Sequence, residues 1–255
     1  MSRASKLAAF AIPDIPLIQA GDDIVGIILS KSASADLDLR VGDVLVIASK
    51  IVAKAEGRYV RLSDVCASSQ AVQLAAETGK DPRLVELILQ ESQAVSRKRI
   101  GVLVTEHRLG FVSANAGVDQ SNIEEGDEAA LLLPHDPDGA AAEIRADIGR
   151  RLGIDVAVII SDTHGRAFRV GNVGVAIGAA GLPAVMDLRG SRDLYGRMLE
   201  VTQLAYADLV ASAAHLLSGE ADEGLPAVVI RGLDLSARHG RAIDLIRSAE
   251  HDLYR

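Results

Sequence analysis

The sequence predicts a protein of mixed helices and strands, folded as one large domain or two intimately packed smaller ones. Three observations predict it. The β-branched runs Val156–Ile160 and Asp43–Ala48 read as buried strands. Between such runs lie segments with helical punctuation and amphipathic spacing. The 255 residues, 49% of them hydrophobic, suffice to bury a proper core without staples.

In chain order, Pro13-Asp14-Ile15-Pro16 sets an extended segment, and Gly21-Asp22-Asp23 starts a helix running to about Ser32. The strand Asp43–Ala48 leads into Ser49-Lys50-Ile51-Val52-Ala53-Lys54-Ala55-Glu56-Gly57-Arg58, and a return strand follows near Tyr59–Leu62. The charged stretch suits a solvated hairpin, and it also sets two lysines and an arginine close to a strand end. Two short helices fill roughly Ser69–Ser92, separated by Gly79 and Pro82. A strand pair follows over Ile100–Thr105 and Leu109–Val112. The loop Ser113–Asn122 then carries Asp119 with side-chain amides, more than a plain turn requires. Glu124, Glu125, Asp127 and Glu128 form a solvated acidic edge.

Asp136-Pro137 opens an amphipathic helix to about Leu152. The run Val156–Ile160 ends in Ser161-Asp162-Thr163-His164-Gly165-Arg166, so polar groups emerge together at the carboxyl end of a buried strand, where ligands tend to bind in α/β architectures. The following stretch carries Arg166, Arg169, Arg189, Arg192 and Arg197 and no lysine, a composition suited to bidentate holding of phosphate or carboxylate. The same residue types also suit an Asx-turn at Asp162 with solvated arginines, and His164 suits either a base or a hydrogen-bonded, solvent-facing histidine. Val201–Leu217 reads as a helix, the loop Ser218–Pro226 holds a third group of carboxylates, Ala227–Ile230 is a short strand, and Ile243–Tyr254 reads as a surface helix.

Composition excludes several classes. A single cysteine, Cys66, leaves no internal disulfide and no multi-cysteine zinc site and fits a reducing cytoplasm. The N-terminal apolar run is broken too soon by Pro13 for a secretory signal, and no run has the length of a membrane span. A net charge of −8 with 3% aromatics argues against nucleic-acid binding. There is no Walker A motif, since Gly79-Lys80 continues with Asp81. There is no dinucleotide fingerprint, since Gly171-Asn172-Val173-Gly174 lacks the third glycine, and no nucleophile elbow or paired-histidine zinc motif. Three oxygen-rich loops remain, around Asp119, Asp162-Thr163 and Glu220, with Lys54 and the arginines. Such groups suit a hard divalent cation shared with phosphate.

The segments Ile15–Ile18, Gly21–Asp23, SKIVAKAEGR, NAGVDQSN, SDTHGRAFRVGNVGVAIG, DLYGR and PAVVIRGL, in this order, resemble the coenzyme F420-0:L-glutamate ligase family over nearly the whole chain. The resemblance implies an α+β fold with mixed sheets and packed helices, two intimately associated lobes and an intertwined homodimer. It implies one ligase domain over residues 1–255, without the nitroreductase-like C-terminal domain fused to some bacterial members. Its metal ligands fall on Asp119, Asp162, Thr163 and Glu220, for Mg²⁺ or Mn²⁺. Its GTP contacts fall on Ile15, Pro16, Leu17, Ile18, Ser49, Lys50, Lys54 and Asn122, and on Ser218, Gly219, Glu220, Ala221, Asp222, Glu223, Gly224 and Leu225. Ala53 stands where a serine is common, and the Ser218–Leu225 loop is richer in acid than in some members.

The implied reaction adds L-glutamate through a γ-glutamyl amide to coenzyme F420-0 and its extended forms, in the cytoplasm. A substrate carboxylate takes the γ-phosphoryl group of GTP, and the glutamate amine displaces phosphate from the acyl phosphate. Lys54 offsets developing charge, and Arg166 with its neighbours holds acidic substrate. The alternatives are a metal-dependent phosphohydrolase or kinase of another small acid, and a non-catalytic guanine-nucleotide-binding protein.

Overall fold

The computed structural model describes residues 6–123, 126–235 and 240–252. Its centre is a five-stranded mixed sheet made of β1 (Ala8–Ala11), β2 (Val44–Ala48), β8 (Ala157–Gly165), β9 (Asn172–Ala180) and β12 (Ala227–Arg231). The order across the sheet is β1-β12-β2-β8-β9; β2 and β8 run parallel, and the other neighbours are antiparallel.

The inner strands are apolar without interruption because both faces are covered. Leu45, Ile47, Val158, Ile160 and Val229 pack into one cluster with α1 (Ile24–Ser34), α2 (Ser49–Ala55) and α5 (Pro137–Leu152). The alternate residues Val44, Val46, Ala157, Ile159, Val228 and Ile230 point the other way, onto Ala207, Val210, Ala211 and Ala214 of α6 (Tyr206–Ser218). Strand β9 allows close helix approach on both sides. A Cβ on Gly178 would overlap the Pro137 carbonyl at the start of α5, and one on Gly174 would lie 2.8 Å from the Ala211 carbonyl oxygen of α6. Of the fingerprint-like pair Gly171 and Gly174, only the second is required by packing; the first serves the turn before β9, with φ 91° and open space beside it.

A third cluster belongs to the segment between α2 and α5. It comprises the antiparallel pair β3 (Tyr59–Arg61) and β7 (Ala129–Leu131), the helices α3 (Ser69–Thr78) and α4 (Pro82–Gln90), and the meander β4 (Ser92–Arg99), β5 (Val102–His107) and β6 (Val112–Ala114). The remaining strands, β10 (Val185–Asp187) and β11 (Gln203–Ala205), form a small pair beside an exposed connection.

The fold is thus α+β with mixed sheets, and most elements lie where the sequence puts them. Four readings need correction. The stretch after β2 is no hairpin: Ser49 opens α2 directly, with Ser49, Ile51, Val52 and Ala53 buried, and β3 pairs with β7 instead of β2. The strand through Ile160 does not stop there. It continues to Gly165 after a bulge, because Ser161–Gly165 find partners in Ala176–Asn172 of β9. The helix read from Val201 begins at Tyr206, because Gln203–Ala205 pair with β10. In place of a C-terminal helix there are only 3₁₀ turns at Ala242–Leu245 and Ala249–His251, and Leu253 and Tyr254 lie outside the described residues. Of the acidic edge, Asp127 and Glu128 sit exposed by a 3₁₀ turn, whereas Glu124 and Glu125 also lie outside the described residues.

Candidate active site

The parallel pairing of β2 with β8 sets the frame. Ala48 is level with Ser161, so Ser49, the next residue after β2, comes beside Asp162, and its hydroxyl donates to Asp162 Oδ1 at 3.2 Å. Strand β12 runs the opposite way. Its entry loop therefore arrives at the same end of the sheet, fixed by the Ala48 N–H donating to the Pro226 carbonyl at 2.8 Å. Beyond β1, the Ile12 N–H donates to the Ala227 carbonyl at 2.9 Å, and the chain then turns through Ile15–Ile18 at this same end. Three edges of one cleft are thus dictated by strand direction alone.

The fourth edge comes from the segment after β6. Asn115 and Ala116 both take left-handed backbone angles (φ 54° and 51°) ahead of Gly117 (φ 67°), a costly sequence that turns the chain sharply into the cleft wall. Asp119 is then held by backbone hydrogen bonds in both directions with Leu131. Helix α2 reaches across to this loop with both lysines. Lys50 Nζ lies 2.7 Å from Asp119 Oδ2 and donates to the Ser121 carbonyl at 2.9 Å, and Lys54 Nζ donates to the Asn122 carbonyl at 3.0 Å. Asn122, itself left-handed (φ 53°), donates from Nδ2 to the Ala221 carbonyl and so closes the ring onto the β12 entry loop.

These edges enclose about 610 Å³. Every residue read as a nucleotide or metal contact lines that space: Ile15–Ile18, Ser49, Lys50, Lys54, Asp119, Asn122, Asp162, Thr163 and Ser218–Leu225. Arg166 does not. It is exposed on the connection after β8, with Nη2 only 3.5 Å from the Val170 carbonyl. Of the other arginines, Arg189 is paired with Asp187 and Arg192 donates to the Gly196 carbonyl.

Three acids of the cleft, Asp119, Asp162 and Glu220, each face a basic side chain. Burial pushes the Asp119 carboxyl up, but Lys50 and the Ser121 N–H and hydroxyl outweigh it and hold it below the usual carboxylate range. Asp162 Oδ2 faces His164 Nε2 at 3.1 Å, and Glu220 Oε1 faces His215 Nε2 at 2.6 Å. Among the described residues, no three His, Cys, Asp or Glu side chains are close enough together to hold a metal ion. The cleft nevertheless offers oxygen donors on three of its walls, the chemistry that Mg²⁺ and Mn²⁺ select.

The sequence reading missed His215 and Asn172, which also line the cleft. His215 had a signal, lying one helical turn before the acidic loop it serves. Asn172, in a run of small residues, had none. The partner of His164 was readable too, because residues two apart on a strand share a face.

The fold and site together define a mixed α+β protein whose basic and oxygen-bearing groups converge in one cleft, suited to handling phosphate and carboxylate. Relatives narrow that class to ligases. The chain is 47% identical over 251 residues to the coenzyme F420:L-glutamate ligase of Methanothermobacter thermautotrophicus, covering 98% of this chain and 99% of the relative. It is 46% identical over 256 residues to the ligase of the same name from Methanopyrus kandleri, with 98% and 99% covered. It is 42% identical over 242 residues to that of Methanocaldococcus jannaschii, with 95% and 94% covered. The chain belongs to the F420-0:gamma-glutamyl ligase family, whose profile matches residues 13–232.

Proposed function

We propose that this chain is a GTP-dependent ligase that joins L-glutamate through an amide to the carboxylate of coenzyme F420-0, and through γ-glutamyl amides to its extended forms. One observation carries the reading: motifs scattered from Ile15 to Leu225 fold into one lysine-flanked, oxygen-lined cleft. The names of its relatives supply the substrate class.

GTP occupies the cleft between Ile15–Ile18, Ser49 and Lys50 on one side and Asn122 and Ser218–Leu225 on the other. A carboxylate oxygen of F420-0 attacks the γ-phosphorus, the bond to the β-phosphate oxygen breaks, and GDP leaves an acyl phosphate. The glutamate amine then attacks the acyl carbon, phosphate departs, and the amine gives up a proton as the amide forms. Lys54 offsets charge on the phosphoryl oxygens, and Arg166 and Arg169 hold acidic substrate from outside the cleft wall. No covalent bond to the protein is needed. Asp119, Asp162, Thr163 and Glu220 would hold Mg²⁺ or Mn²⁺, which when bound neutralises charge on the phosphates.

We further place the chain as a two-lobed, intertwined homodimer in the cytoplasm. What supports the dimer is a pair of exposed connections: Val170, between β8 and β9, and Leu194, between β10 and β11, are fully exposed (101% each), and Tyr195 is nearly so (88%). Such apolar side chains call for a covering surface. The lone, exposed Cys66 suits a reducing compartment.

Mass spectrometry of mixtures of the purified chain with GTP, L-glutamate and F420-0, with GDP followed in parallel, tests the activity. The expected outcome is a glutamyl-extended product and GDP release that requires glutamate. GDP release indifferent to glutamate would indicate a phosphohydrolase or kinase, and GTP binding without turnover would indicate a nucleotide sensor.

A further inference from the structure

We propose that His164 is a positioning residue that orients the Asp162 carboxylate toward a divalent cation in the cleft. The inference rests on the reading of Asp162 as a cation ligand.

Asp162 lines the cleft, whereas His164 lines a separate, smaller cavity of about 160 Å³ behind it, together with Phe111 and Asp208. The histidine therefore acts on the cleft only through its neighbour. A carboxylate only accepts hydrogen bonds, so the hydrogen in the 3.1 Å contact sits on His164 Nε2 and points at Asp162 Oδ2. The Ser49 hydroxyl holds the other oxygen at 3.2 Å. With both oxygens engaged, rotation of the carboxylate about its last bond is restricted.

The imidazole is itself held in place. Its side chain is 13% exposed, and the Phe111 ring lies against it at 4.9 Å with a 50° tilt. Phe111 in turn stacks on the wholly buried His107 at 4.8 Å and 9°. This backing runs from the cleft into the β4-β5-β6 meander, and it holds the donor where Asp162 needs it. Groups that orient a ligand in this way commonly contribute 10- to 100-fold to metal affinity.

A packing role and a hydrogen-bonding role separate by geometry. The Gln amide nitrogen reaches about as far as histidine Nε2, whereas the Asn amide nitrogen reaches only as far as Nδ1, and both substitutions remove the ring from Phe111. Mn²⁺ alone is titrated into the full chain, with the unbound aqua ion followed by electron paramagnetic resonance, for wild type, His164→Asn, His164→Gln and Asp162→Asn. Thermal melting of each variant checks folding.

The expected result is Mn²⁺ affinity lowered roughly 10- to 100-fold in His164→Asn, largely restored in His164→Gln, and lowered at least as much in Asp162→Asn. His164→Asn binding like wild type while Asp162→Asn binds weakly would overturn the positioning role and leave the cation site standing. Equal weakening in folded Asn and Gln variants would also overturn it, in favour of ring packing. Asp162→Asn binding as tightly as wild type would remove the cation site, and this inference with it. Should His164→Asn not fold, His164→Gln decides: affinity near wild type supports the role, and loss to the Asp162→Asn level overturns it.

Discussion

Replacing Glu91 with Gln removes a negative charge from the point where two guanidinium groups meet. Glu91 Oε1 accepts from Arg58 at 2.9 Å and Oε2 from Arg108 Nε at 3.0 Å. Nε2 of His107 lies 3.5 Å away, a longer contact; His107 Nδ1 accepts from the Leu109 N–H, so the hydrogen on Nε2 faces the carboxylate. Burial pushes the Glu91 carboxyl up, but His107, Arg58 and Arg108 outweigh it and bring it from 4.5 down to about 2. At about 1.4 kcal/mol per unit, the shift is worth about 3 kcal/mol to the folded state. A depressed carboxylate stabilises fully above its unfolded value, here near 4.5, and the contribution is lost as pH falls through about 2. At pH 3 the unfolded chain has mostly taken up the proton and the folded chain has not, which leaves about half of that contribution. Urea unfolding of wild type and Glu91→Gln at pH 7, 5 and 3 measures the gap. The expected gap is about 3 kcal/mol at the two higher values and about half that at pH 3. A gap that does not change with pH, or a variant as stable as wild type at pH 7, would refute the reasoning.

Gly178→Ala should destabilise by about 1–3 kcal/mol, since the obstructing atoms are the Pro137 backbone and cannot rotate away; denaturant unfolding reads this, and a neutral outcome would mean that α5 shifts freely on β9. Lys54→Ala should raise the GTP requirement and slow turnover roughly 10²-fold by removing positive charge beside the phosphates, and unchanged steady-state kinetics in a folded variant would take Lys54 out of the site. Sedimentation at micromolar concentration should show a two-fold dimer, and a monomer would leave Leu194 and Tyr195 without the proposed cover.

The core strands were legible because β2 and β8 are buried on both faces and so carry unbroken β-branched runs. Helix α5 was legible because its ends are written in the sequence: the Asp136 carboxylate caps the Gly139 N–H at 3.0 Å, Pro137 begins the helix, and Gly153 ends it with φ 68°. Strand β4 was not legible. Its SQAVSRKR sequence is polar and mostly exposed, and its register against β5 shifts twice. Helix α2 was obscured by its lysines, which looked like a charged turn until both were seen to reach one neighbouring loop. The site's residue types were readable, but their convergence depended on strand direction. No local pattern states that β12 enters the sheet where β2 leaves it.

The assembly of one cleft from five distant segments also has a thermodynamic consequence. No contiguous fragment contains more than a part of it, so the nucleotide affinity proposed for this cleft belongs to the whole native chain and is absent from the unfolded one. A ligand that touches Ile15–Ile18, α2, Asn122, Asp162 and the Ser218–Leu225 loop together opposes global unfolding instead of the opening of any single loop. At a hundred times its dissociation constant such a ligand adds about 2.7 kcal/mol to the unfolding free energy. Nucleotide should therefore slow hydrogen exchange at amides deep in β2 and β8, several residues from anything it contacts.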